Sequence, residues 1–236
     1  MNNYSNISNE YFEILISCHL KEYGEEILKY ATGKIKEYLN FFKEETYGEK
    51  IKGSYFTNRV DFIKRIKEIS PRDVALPPEW ATGCFYGGEV QVLLNEEKLY
   101  DKFYTLAHET FHLLFTKFVY EKNNYNRIVW LDESLAGNFD GTVENLIKEN
   151  KFPYIVKRLM DTDNLPTMNQ LSFDRGNIIT GEYDGYDLFK VVGRYLIETK
   201  TEEELLLYIQ NEDLVLKEGD SILEISLKYF EEKYNL

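Results

Sequence analysis

The stretch from Tyr100 to Val119, YDKFYTLAHETFHLLFTKFV, decides how the chain is read. It contains no proline or glycine and is apolar on nearly every face, which predicts a long helix packed inside the protein. Within it stands His108-Glu109-Thr110-Phe111-His112, an H-E-x-x-H pattern that uses two of the three histidines in the chain. Residues four apart share a helix face, so both imidazoles can address one cation with Glu109 beside them. A buried imidazole cannot sit solvated and needs a hydrogen-bond partner, another charge or a metal. Zinc fits this pattern because it takes neutral ring nitrogens from a rigid support, and a neighbouring carboxylate can accept a proton from the water it activates.

A third ligand is available in Trp130-Leu131-Asp132-Glu133-Ser134-Leu135-Ala136. Glu133 follows His112 by 133 − 112 = 21 positions. That is room for the first helix to end, a loop to turn back over Glu121 to Asn126, and a second helix to present Glu133. Three protein ligands leave an open coordination position, the mark of a catalytic rather than a structural zinc. Cys18 and Cys84 are too few and too far apart in sequence to form a closed cysteine site.

These residues resemble the thermolysin-like gluzincin metallopeptidases, in which H-E-x-x-H is followed some twenty residues later by a W-x-x-E or N-E-x-x-A segment. Tyr11-Phe12-Glu13 and the helix after it, Glu79 to Leu94, and Asp184 to Leu196 are similar to compact members of that group. The resemblance implies an α+β zincin catalytic domain over 1–236, with a mixed-sheet lobe (1–119) ending in the metal helix and a helical lobe (120–236). It implies one zinc per chain held by His108, His112 and Glu133, with Glu109 as general base. It also places a substrate backbone against the free edge of a strand over Gly88 to Val92, and Tyr186 as the donor to the transition-state oxyanion, with Tyr183 as the alternative.

The chain also departs from related patterns. A metzincin would carry glycine at 115 and histidine at 118, where this chain has Phe115 and Phe118. Where thermolysin supports a zinc histidine with an aspartate one turn after the ligand glutamate, this chain has Gly137, leaving Asn138, Asp140 or a backbone carbonyl to orient the ring. The G-x-M-E-N segment of aminopeptidase relatives is missing, Gly87-Gly88-Glu89-Val90 being its nearest echo.

Outside the motifs the pattern is α+β. Strands are predicted over Tyr11 to His19, Lys50 to Thr57, Ala81 to Tyr86 and Glu89 to Leu94, the last two as a hairpin about Gly87-Gly88. Helices are predicted over 24–42, 59–69, 142–149, 152–160, 186–199, 202–210 and 221–234. His19 reads as a structural histidine, and Glu89 and Asp132 read as exposed charges at a loop and a helix start.

Acidic residues outnumber basic ones 41 to 28, for a net charge of −13, so nucleic acid and anionic membrane surfaces are poor partners. No apolar run reaches the roughly 18 residues of a membrane span. With two cysteines and no leader-like N-terminus, a cytoplasmic location is the default expectation, a secreted chain without its leader being the alternative. The surfeit of Tyr and Phe is explained as readily by coding bias as by a peptide groove.

The sequence therefore predicts a zinc peptidase acting on a peptide or protein substrate. Three alternatives stay open: an inactive zincin-fold binding module, a zinc hydrolase of a non-peptide amide, and a helix that carries the motif without any metal. Retention of Glu109, which zinc binding alone does not require, argues against the first. For the second, peptide deformylase draws a ligand from a Gly-Cys-Leu segment, which Thr82-Gly83-Cys84-Phe85 matches poorly.

Overall fold

The computed structural model describes residues 4–69, 76–77, 82–172 and 178–236. Glu79, Trp80 and Ala81, which begin the segment similar to gluzincins and the predicted hairpin, lie outside those residues. The chain divides into two compact units, 1–110 and 111–236, and the boundary falls inside helix α3 (Thr105–Phe115), which runs unbroken across it. Among the described residues no helix is long and apolar enough to cross a membrane. The architecture is α+β, with one five-stranded mixed sheet.

In the first unit, strands β1 (Tyr4–Ser8), β2 (Phe12–Ser17), β3 (Ile51–Phe56), β4 (Gly83–Tyr86) and β5 (Glu89–Leu93) order as β1-β2-β3-β5-β4. The central pairs β2–β3 and β3–β5 are parallel, and the outer pairs are antiparallel. Parallel neighbours need long crossovers, and α1 (Lys21–Phe42) and α2 (Arg59–Ile69) supply helices for them. β2 alternates strictly enough to bury Phe12, Ile14 and Ile16 completely. β1 was not legible in the sequence: YSNIS is polar and only partly covered, and it is a strand because Phe12–Ser17 offers it an edge. On α2, Phe62 and Ile66 pack on Phe56, with Leu15 and Cys84 at the margin.

The predicted hairpin forms, with Gly87 and Gly88 both at positive φ (55° and 80°), as a tight two-residue turn requires. A side chain at Gly87 would also stand 2.4 Å from the Ile69 carbonyl oxygen. The free edge expected over Gly88 to Val92 is not there. β5 is bonded on both sides, to β3 and to β4, so the outer edge on this side of the sheet belongs to Gly83–Tyr86. Glu89 also differs from expectation. It is 3% exposed, accepts a hydrogen bond from Ser54 Oγ, and is held by Arg65 through Nη2 at 2.6 Å and Nε at 3.1 Å. A carboxylate this deep is tolerable only with such partners.

The second unit is helical: α4 (Val129–Phe139), α5 (Thr142–Lys148), α6 (Phe152–Met160), α7 (Gly185–Thr199), α8 (Glu202–Ile209), α9 (Glu212–Glu218) and α10 (Ile222–Tyr234). α9 was not expected, because seven residues with only Val215 buried carry too little periodicity to read. α5, α6, α7, α8 and α10 follow their predicted spans to within a residue or two. α4 and α7 pack backbone to backbone, since a Cβ on Gly193 would meet the Ser134 carbonyl oxygen at 2.2 Å. Asn138 on α4 fastens the pair by donating to Ser134 O on its own helix and to Lys190 O on α7.

Candidate metal centre

The motif helix starts later than predicted. Glu96–Lys102 forms a 3-10 segment broken at Lys98 (φ −139°, ψ 47°), and regular α-helix begins at Thr105. Along α3, Leu106, Ala107, Thr110, Phe111, Leu114 and Phe115 are buried, while Thr105, His108, Glu109, His112 and Leu113 are only partly covered. The helix is therefore not closed on every side, and the one stripe left accessible carries the H-E-x-x-H residues.

After Phe115 the helix loosens into a π-helical turn, Thr116–Glu121. That turn bears Tyr120, whose hydroxyl donates to Ile128 O at 3.1 Å and accepts from Ile128 N at 3.2 Å. The same side chain thus fixes the residue that caps α4. From Ile128 to Ala136 every residue is buried except Glu133. Within that stretch of α4 Glu133 alone stays partly accessible, and it is the residue expected to bind metal.

Nitrogens of His108 and His112 and a carboxylate oxygen of Glu133 all lie within 4.8 Å of one another. Donors about 2.0–2.1 Å from a single ion are at most about 4 Å apart, so side-chain shifts of under about 1 Å would close the group on zinc. Two imidazoles and one carboxylate are a donor set that zinc accepts, with a position to spare.

His112 is oriented by a residue that the sequence reading had set aside. Asp132, completely buried rather than exposed, places Oδ1 2.6 Å from His112 Nδ1 and leaves Nε2 facing Glu133 Oε2 at 3.5 Å. Arg127 closes the cluster, with Nε on Asp132 Oδ2 and Nη2 3.0 Å from Glu133 Oε1. Burial works against a charge on His112, but Asp132 and Glu133 outweigh it and hold the imidazole up to about 9.

Asp132 could have been found from sequence. It sits among Val129, Trp130, Leu131, Leu135 and Ala136, and an acid inside so apolar a helix must be buried against a partner. Arg127 carries no such signal, since it belongs to no periodic segment. Asp140, one of the groups weighed for orienting a ring, accepts from the N–H of Thr142, the first residue of α5, at 2.6 Å.

Among the described residues, neither cysteine nor His19 belongs to the group. Burial first, then the negative charge of Glu109, pushes the Cys84 thiol up to about 12. His19 is exposed and faces Glu96 Oε1 at 3.4 Å. Tyr186 stands at the start of α7, its N–H capped by Asp184 and its ring against Phe189. It lies seven residues, about 10 Å of helix, before the Gly193 level at which α7 meets Ser134. Tyr183 precedes that helix, in the turn closed by the Ile179–Asp184 bridge. No family model and no curated protein sequence matches the chain.

Proposed function

We propose that the chain is a zinc-dependent peptidase of the thermolysin-like gluzincin type, with a zincin catalytic fold. The observation that supports this most is the convergence of His108, His112 and Glu133 from two helices, with the second nitrogen of His112 already engaged by a buried carboxylate. Metal-binding histidines characteristically donate that nitrogen to a carboxylate, which fixes the tautomer and the ring plane.

Zinc, when bound, supplies Lewis acidity toward water and the scissile carbonyl. His108, His112 and Glu133 hold it. Glu109, next to the ligand His108 on the partly accessible stripe of α3, takes the proton from the attacking water and delivers it to the leaving amine nitrogen. Tyr186, or Tyr183 in its place, donates a hydrogen bond to the developing oxyanion. A net charge of −13 suits a peptide or protein substrate better than nucleic acid, and a cytoplasmic location is part of the same proposal.

A second reading is favoured by one observation. Protonated His112 and Arg127 together balance Asp132 and Glu133, so the cluster is electrically closed without a metal. Elemental analysis after dialysis in chelator-free buffer separates the two. The peptidase reading expects one zinc per chain, lost in His108→Ala and in Glu133→Ala; a protein without zinc, or zinc unchanged in both variants, overturns it.

A further inference from the structure

Arg127 belongs to no motif, yet it touches both carboxylates of the cluster. Its Nε bonds Asp132 Oδ2 and its Nη2 bonds Glu133 Oε1 at 3.0 Å. The remaining oxygen of each carboxylate faces His112: Asp132 Oδ1 is 2.6 Å from Nδ1, and Glu133 Oε2 is 3.5 Å from Nε2. Arg127, Asp132, His112 and Glu133 thus form a closed ring within the unit 111–236.

From this ring we infer that Arg127 is a positioning residue that occupies Glu133 Oε1 and leaves Oε2 as that residue's one metal donor. The proposal rests on the metal-centre reading above. A free carboxylate can chelate through both oxygens, which would raise the coordination number and crowd the position a catalytic zinc keeps open. With Oε1 held by a guanidinium N–H, Glu133 ligates through one oxygen and the position stays free for substrate or water.

The residue type follows from the same geometry. Nε and Nη2 of a guanidinium are rigidly spaced, parallel donors, which lets one side chain hold two adjacent carboxylates at once. A lysine offers the charge without the fork. Mere neutralisation of two buried acids would be met by either residue, so Arg127→Lys distinguishes positioning from charge balance.

The test uses cobalt(II) in place of zinc, because its visible absorption weakens as coordination number rises. Wild-type protein is expected to bind one equivalent with the intense band of a four-coordinate site. Arg127→Lys and Arg127→Gln are expected to bind one equivalent with loss of that intensity, as Glu133 becomes bidentate. Unchanged spectra in both variants overturn the proposal and leave Arg127 a counter-ion. X-ray absorption on the zinc-loaded wild type serves if the variants do not fold: a single carboxylate oxygen at about 2.0–2.2 Å supports the proposal, and a bidentate carboxylate overturns it. A wild-type protein that takes up neither metal overturns the metal-centre reading and this proposal with it, whereas bidentate binding overturns the proposal alone.

Discussion

Asp132 Oδ1 stands 2.6 Å from His112 Nδ1, on a carboxylate with no exposure to solvent. The two residues come from α4 and α3 and are 20 positions apart, so the bond exists only once those helices have packed. Asp132→Asn keeps an oxygen of similar shape but removes the charge that favours a firmly held, strongly donating imidazole. Zinc affinity, measured by competition with a chromophoric chelator, should fall by a factor on the order of 10–100. Wild-type affinity in the folded variant would dismiss Asp132 as a support of the site.

Glu109→Gln should separate binding from chemistry. The amide preserves shape and leaves all three ligands in place, so zinc content stays at the wild-type level. It cannot accept a proton, and turnover on a peptide substrate should fall by a factor on the order of 10² or more. Substantial turnover in the variant would take the general-base role away from Glu109.

Tyr186→Phe tests the oxyanion donor. A hydroxyl used only in the transition state should lower the turnover number on the order of 10², with KM and zinc content nearly unchanged. Tyr183→Phe should then be close to silent. The opposite pattern moves the role to Tyr183, and no effect from either change assigns the oxyanion to another donor.

Glu198 predicts how the second unit responds to acid. Burial alone would raise its carboxyl, but Lys233 Nζ at 2.5 Å, Arg194 Nε at 2.7 Å and Tyr229 Oη at 3.0 Å prevail and lower it from the ordinary 4.5. A carboxylate depressed in the folded state stabilises above its ordinary range, and that contribution is lost as the pH falls below 4.5 through the folded value. Glu198→Gln should therefore cost on the order of 1 kcal/mol at neutral pH, because it loosens α10 from α7. That corresponds to a Tm lower by about 2–4 °C. The gap between the two melting curves should close as the pH drops from 7 toward 3; a gap independent of pH would mean that the network contributes nothing through charge.

The sequence by itself made most of the elements and the candidate donors legible. Periodicity marked α1, α2 and most of the second unit because each buries a continuous apolar stripe, and Gly87-Gly88 marked the hairpin because few other residues accept two successive positive φ values. H-E-x-x-H and Glu133 were legible because a helix turns fixed spacing into a shared face. Tertiary structure alone decided the rest. It gave β1 an edge to pair with, placed β5 inside the sheet rather than at its rim, and buried Glu89, which looks like a surface acid when only its neighbours in sequence are considered. The bonds from Arg127 to Asp132 and Glu133 were beyond reach as well: hydrogen bonding at a site depends on where helices meet, and a local pattern carries no information about residues that approach only after the chain has packed.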